Sequence, residues 1–276
     1  MDLGIKGKTA IVTASSGGMG RNIALALAAE GVNVALFARS ADKLQGVAEE
    51  IETKHGVRAL PVVGDMLVAA DVVRLADTLE KEFGGADILV LNTGRAPNPL
   101  RATLEENEEA RWNEAYQNQL WGAIQVATHV VPAMRQRGWG RIIAVTSASV
   151  KQPMPHHSLS TVFRAGMTAY MKHLANEVGT SGITANCVAP RAHRHLAPHG
   201  RRGLHRGAGS CAQKAHAIGP HGHAGRGVWR GGVSGVNAGG IRDRFDHSGG
   251  RRHDRLAVLK WARQGFIVWL RGGHSP

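Results

Sequence analysis

The chain has 276 residues and a formal net charge of +13, long enough for a sizeable core in one α/β domain. Its two cysteines, Cys187 and Cys211, make neither a disulfide framework nor a metal-ligand pair, and no apolar run reaches membrane-spanning length, which excludes disulfide scaffolds, zinc-stapled modules and helical membrane proteins. Met1 to Lys8 leads directly into the first apolar run without a signal-peptide pattern, so the expected location is cytoplasmic and reducing.

Strand-like apolar runs alternate with helical patterns, which argues for a parallel sheet covered on both faces. In chain order the reading is strand Thr9–Thr13, helix Met19–Glu30, strand Asn33–Ala38, helix Ala41–Lys54, strand Ala59–Val63, helix Ala70–Phe83 and strand Ile88–Leu91. A long helix is expected over about Glu105–Arg137, with Pro132 as a point for a kink. A strand Arg141–Thr146, a helix Ser158–Val178 and a strand Ile183–Val188 follow. The pattern is that of a doubly wound, Rossmann-like parallel sheet in a single domain, 1–190, without internal repeats.

In such sheets ligands sit beyond the carboxyl ends of the strands. The first of those ends is Thr13-Ala14-Ser15-Ser16-Gly17-Gly18-Met19-Gly20. A glycine turn between a strand and a helix lets backbone N–H groups approach a pyrophosphate at the positive end of the helix. Thr13, Ser15, Ser16, Gly18, Met19 and Gly20 are therefore the first candidate cofactor-binding residues. The later strand ends carry Arg39 with Ser40, Asp65 with Met66, Asn92-Thr93-Gly94, and Ser147.

These motifs resemble, in order and at matching spacing, the short-chain dehydrogenase/reductase family, and are similar to its 3-oxoacyl-(acyl-carrier-protein) reductases. The family's Thr-Gly-x-x-x-Gly-x-Gly turn corresponds to Thr13–Gly20, with Ala14 at the first glycine. Its Asn-Asn-Ala-Gly segment corresponds to Asn92-Thr93-Gly94. Gly140-Arg141-Ile142-Ile143 leading to Ser147 resembles the strand that delivers a catalytic serine, and Gly182 to Pro190 resembles the sixth strand. An acid at the end of the second strand would accept from an adenosine ribose hydroxyl, whereas an arginine there meets a 2′-phosphate. The residues are Arg39 and Ser40, so NADP is expected rather than NAD. Asp65 resembles the residue placed near the adenine; its plainer role is a helix N-cap.

The resemblance breaks at the catalytic helix. The family uses a tyrosine as proton donor, a lysine four residues later, a serine on the carbonyl oxygen and an asparagine on the long helix. Register from both flanks places Ser160 at the tyrosine position, Arg164 at the lysine position and Gln119 at the asparagine position, and only Ser147 is retained. An aliphatic hydroxyl is a far weaker acid than a tyrosine, and arginine supplies charge and hydrogen bonds without shuttling a proton. Ser160 and Arg164 at i, i+4 can still bind a carbonyl, a carboxylate or a halide. His156 and His157, in the loop before this helix, are weak substitutes as proton donors. Tyr170 and Lys172 face different sides of the helix, and Tyr116 reads as packing.

The charge is not spread evenly. Residues 1–190 hold 18 Lys+Arg and 18 Asp+Glu, whereas residues 191–276 hold 16 Lys+Arg, three Asp, no Glu, ten of the 15 histidines and half of the 36 glycines. This tail has no sustained periodicity, and a nucleic-acid arm, a metal tract or a sequence not selected as protein all fit its composition. Shifting each codon's reading by one base permits the family's late loop and last strand to be recovered in order within the tail. The expectation is a frameshift after Pro190, so that the tail is out-of-frame or disordered, the sixth strand is an exposed edge, and Phe266-Ile267-Val268-Trp269-Leu270 is a sticky apolar exception.

The resemblance implies an NADP-dependent oxidoreductase that reduces a carbonyl, 3-oxoacyl or related, by hydride transfer. Its partner is a small-molecule carbonyl or alcohol, with no specific nucleic acid, membrane or metal. The family is homo-oligomeric, and the aberrant tail puts this chain's assembly in question. The alternative is a non-catalytic NADP-binding protein that has lost the proton relay; a nucleic-acid-binding protein using the basic tail ranks third.

Overall fold

The computed structural model describes residues 2–190 and the strand Phe266–Trp269; the remainder of the expected tail lies outside the described residues. Strands β1 (Thr9–Thr13), β2 (Asn33–Ala38), β3 (Ala59–Val63), β4 (Ile88–Leu91), β5 (Gly140–Val145) and β6 (Ile183–Pro190) form one parallel array. A seventh, β7 (Phe266–Trp269), joins antiparallel, and the order across the sheet is β3-β2-β1-β4-β5-β6-β7. The helices are α1 (Gly18–Ala29), α2 (Ala41–His55), α3 (Ala69–Phe83), α4 (Glu109–Tyr116), α5 (Gly122–Arg137) and α6 (Ser158–Val178).

Strand residues alternate between two cores, as a period of two requires. Ile11, Ala35, Phe37, Leu89, Leu91 and Ile142 pack with α3, α5 and α6 on one face. Ala10, Val12, Val34, Leu36, Ile88 and Val90 pack with α1 and α2 on the other. Burial on both faces explains why these strands read as continuous apolar runs. Helix α3 ends where Gly84 takes φ 67° and returns its N–H to the carbonyls of Glu80 and Leu79, a left-handed stop that a glycine permits.

Three expectations change. The long helix begins at Glu109 after a short 3₁₀ turn, Thr103–Glu105, and its irregularity is a π turn, Gln117–Trp121, while Pro132 lies within α5. Strand β6 runs on to Pro190 and is not an open edge: Cys187, Val188, Ala189 and Pro190 pair in register with Trp269, Val268, Ile267 and Phe266. The apolar segment read as a sticky exception is thus the strand that covers that edge. Asp65 is not the N-cap of α3, a place held by Val68; its Oδ1 instead accepts the Leu67 N–H at 3.0 Å in the preceding turn.

No helix among the described residues is long and apolar enough to cross a membrane.

Candidate active site

Strand order reverses between β1 and β4, where the chain leaves β3 and crosses to the other side of β1. That switch point opens a crevice at the carboxyl ends of the strands. Thr13 closes its floor: its buried hydroxyl donates to the Asn92 carbonyl at 2.6 Å, and the Asn92 N–H returns to the same oxygen at 3.0 Å. The Asn92 side-chain amide donates to the Ala14 carbonyl at 3.3 Å. The loops after β1 and β4 are therefore one hydrogen-bonded unit.

The turn itself is shaped by crowding. Ala14, at the position of the family's first glycine, takes φ 48°, a left-handed conformation that is costly for a residue with a Cβ. Gly20 passes so close that a Cβ would lie 2.3 Å from the Ala14 oxygen and 2.8 Å from the Asn92 amide nitrogen. Ser15 is fully buried, with its N–H 3.4 Å from the Phe37 carbonyl and its hydroxyl without a partner. Ser16, Gly18 and Met19 follow at the mouth, Met19 exposed. Helix α1 starts there with neither a side-chain cap nor an acid in its first turn, so its first N–H groups face outward at the positive end of the dipole.

Beside this turn lies a cavity of about 290 Å³ lined by Ser16, Arg39, Ser40, Asp65, Met66 and Gly94, among others. Arg39 is exposed and stands 3.7 Å from the Asp65 carboxylate. The Met66 carbonyl accepts from Gln125 at 3.1 Å, and the Met66 side chain packs where Gly122 leaves space for it. Two lining residues, Lys43 and Asn118, escaped the sequence reading. Lys43 did carry a signal. It sits in the first turn of α2, where a cation opposes the helix dipole, four residues after Arg39. Thr93 closes the loop after β4, with its hydroxyl buried and without a partner.

Of the four positions expected to be catalytic, Ser160 and Gln119 meet directly. Ser160 donates to the Gln119 side-chain oxygen at 3.1 Å; Gln119 is fully buried in the π turn, and its amide nitrogen has no partner. Arg164, one turn after Ser160 on α6, is 8 % exposed. Its guanidinium donates to the Val145 carbonyl at 2.7 Å and to the Gly94 carbonyl at 3.0 Å, tying α6 to the ends of β5 and β4. Burial pushes Arg164 down to about 10, so it stays a cation at neutral pH. Ser147 follows β5, and its hydroxyl accepts from the Ser149 N–H at 3.2 Å and the Ser149 hydroxyl at 2.9 Å, which leaves its own proton free to donate.

The weaker candidates do not join this group. His156 is exposed at φ 62° and His157 turns its ring to the Pro155 carbonyl at 2.7 Å. Tyr170 packs against the core, where burial raises its pKa. Tyr116 stacks on Trp121 and meets Phe163, as packing. A buried pair pins the start of α4: Arg111 grips the Glu106 carboxylate at 2.7 and 2.9 Å and donates to the Pro99 carbonyl at 2.7 Å. No group of three His, Cys, Asp or Glu side chains among the described residues is placed to hold a metal.

Two of these features fit a dinucleotide. The orphaned hydroxyls of Ser15 and Thr93 border a turn whose backbone no side chain obstructs at Gly17 or Gly18, and buried polar atoms without partners ordinarily have one when a site is filled.

Comparison with known proteins agrees. A family model described as short chain dehydrogenase matches residues 8–194. The 3-oxoacyl-(acyl-carrier-protein) reductase FabG of Staphylococcus epidermidis is 35 % identical over 184 residues, covering 66 % of this chain and 74 % of that one. The D-beta-hydroxybutyrate dehydrogenase of Cupriavidus necator is 33 % identical over 186 residues, covering 67 % and 70 %. The L-sorbose reductase of Gluconobacter frateurii, solved with NADPH and L-sorbose, superposes with a TM-score of 0.65 at 37 % identity, covering 69 % of this chain and 71 % of that one. With the turn, the switch point and the fold in agreement, the chain belongs to the short-chain dehydrogenase family.

Proposed function

We propose that the chain binds NADP in the crevice between β1 and β4 and reduces a small carbonyl compound there by hydride transfer, with the 3-oxoacyl reductases as its functional type. The observation that carries the cofactor choice is the pair of cations, Arg39 and Lys43, lining one cavity beside the glycine turn. Two cations and the Ser40 hydroxyl suit a 2′-phosphate, whereas Asp65 alone would suit a ribose hydroxyl. In this reading Thr13 and Asn92 fix the turn, the α1 N-terminus meets the pyrophosphate, and Ser15 and Thr93 find partners in the nucleotide.

Bound NADPH would supply the hydride. On the protein side, the Ser147 hydroxyl donates a hydrogen bond to the substrate's carbonyl oxygen without giving up its proton, Ser160 with Gln119 lines the same oxygen's surroundings, and Arg164 contributes a fixed positive charge. None of these groups is a good acid at neutral pH. Turnover is therefore slow, and proton delivery falls to water. A non-catalytic NADP-binding role has one observation in its favour, the absence of a transferable proton on Ser160 and Arg164.

Fluorescence titration decides the cofactor. NADPH binds about tenfold or more tightly than NADH; Arg39→Ala and Lys43→Ala each remove about tenfold from NADPH alone, the low end for a charge-assisted contact that solvent screens. Equal loss for both nucleotides refutes the assignment. For turnover, the double change Ser160→Tyr with Arg164→Lys restores an acid and a relay, and raises carbonyl-dependent NADPH oxidation by roughly a hundredfold; no change in rate refutes the catalytic reading.

The family match stops at residue 194, just past the change in composition at Pro190. We infer a one-base shift in the gene near codon 190, which the nucleotide sequence tests: stop codons in the alternative frame before its final Asp-Gly-Gly refute it. The NADP site lies wholly before that point, in a cytoplasmic protein on this reading.

A further inference from the structure

Arg164 is a buried guanidinium with no acidic partner: none of the ion pairs among the described residues includes it. Two carbonyl dipoles, Val145 and Gly94, face it, and they offset a full charge only in part. Buried charges are ordinarily paired or ligand-bound. The Gln119 amide nitrogen is buried and unpartnered, and Gln119 is held by Ser160, one turn before Arg164 on α6. A buried cation without an acidic partner and a buried, unpartnered amide donor describe a receptor for an anion.

We propose that this centre receives the carboxylate of a small organic acid, so that the substrate class is an oxo acid in place of a neutral ketone. The inference rests on the carbonyl-reduction reading for the oxo group, while the anion site stands on its own geometry. Planar donors on Arg164 and Gln119 match the two oxygens of a carboxylate better than a spherical halide. The same arrangement accounts for a serine at the tyrosine position. Ser160 already donates to the Gln119 oxygen at 3.1 Å and so fixes which end of the amide is left as a free donor.

The test is isothermal titration of the full chain with oxamate, with neutral oxamide of the same shape and with chloride, all without nucleotide. Oxamate binds, and oxamide binds at least about tenfold more weakly, as loss of one charge-assisted contact requires. Arg164→Met loses about tenfold or more in oxamate affinity, while Arg164→Lys retains part of it. Where Arg164→Met fails to melt cooperatively, Gln119→Met serves instead and weakens oxamate severalfold. Oxamide binding as well as oxamate, unchanged oxamate affinity in the variants, no oxamate binding, or chloride binding without oxamate each overturns the proposal. NADPH quenching is measured alongside: its loss with oxamate binding intact counts against the NADP reading and leaves the anion site standing.

Discussion

Gly20→Ala isolates the geometric demand of the nucleotide turn. The new Cβ would lie 2.3 Å from the Ala14 oxygen, 2.8 Å from the Asn92 amide nitrogen and 2.9 Å from the Ala14 carbonyl carbon. Reaching ordinary contact takes a retreat of roughly 1 Å, and overpacking of that size costs about 1–3 kcal/mol. Neither neighbour yields easily. Ala14 is already at φ 48°, and Asn92 is held by Thr13 and by the Ala14 carbonyl. A domain of ordinary stability, about 5–15 kcal/mol, survives that loss. Its turn does not keep its place, and a misplacement of about 1 Å at a phosphate-binding backbone is expected to weaken NADPH by tenfold or more. Gly46→Ala is the control: a Cβ there meets nothing within 4 Å, in the middle of α2, and the change should stabilise by about 0.5–1 kcal/mol. Urea melts and NADPH fluorescence titrations report both quantities. Wild-type NADPH affinity in Gly20→Ala, or an equal affinity loss in Gly46→Ala, refutes the argument.

Ala14→Gly should leave Tm unchanged or slightly raised, where an ordinary Ala→Gly change lowers it, because relief of the left-handed strain offsets the added unfolded-state entropy. The Arg111 guanidinium, in two-point contact, holds the Glu106 carboxyl below its ordinary value of 4.5. Its contribution is therefore complete above pH 4.5 and is lost as pH falls through the lower folded value; the gap in Tm between wild type and Glu106→Gln should close over that range. A gap that persists at lower pH removes the ion pair as its cause. Burial pushes the Cys187 thiol up to about 11, so peptide mapping after iodoacetamide at pH 8 should find it unmodified in the native chain and modified after denaturation.

β1, β2 and β4 were legible because both their faces are buried, so that each appears as a largely apolar run, and β1 to β4 match their expected bounds residue for residue. The long helix was less so. Apolar periodicity continues through Gln117–Trp121 whether the turn is α or π, and nothing local marks the wider turn that carries Gln119. The pairing of β6 with Phe266–Trp269 joins segments some 80 residues apart, and composition around the second segment hides it. Lys43 was overlooked because a lysine in a helix's first turn reads as a solvated cation until its cavity is seen. The Arg39–Asp65 pair was visible only as two separate strand ends.

The placement of unpartnered atoms bears on whether the divergent catalytic helix is a relic or a site. Four buried side-chain polar atoms among the described residues lack a partner: Ser15 Oγ, Thr93 Oγ1, Gln119 Nε2 and Ser158 Oγ. Each costs about 1–3 kcal/mol if nothing ever meets it. Two belong to turns at the carboxyl ends of β1 and β4, one to the π turn and one to the start of α6. A pocket that had merely lost its acid would be more stable with apolar groups at positions 119 and 164, as replacement of buried charges generally is. This one keeps a buried cation, ties it to two strand ends through carbonyl oxygens and fixes a buried amide through Ser160 on the same helix. That arrangement conveys no proton, but it is suited to holding a negative charge. If the proposed anion site holds, serine and arginine at positions 160 and 164 reflect a change in what the site grips more than decay of the site.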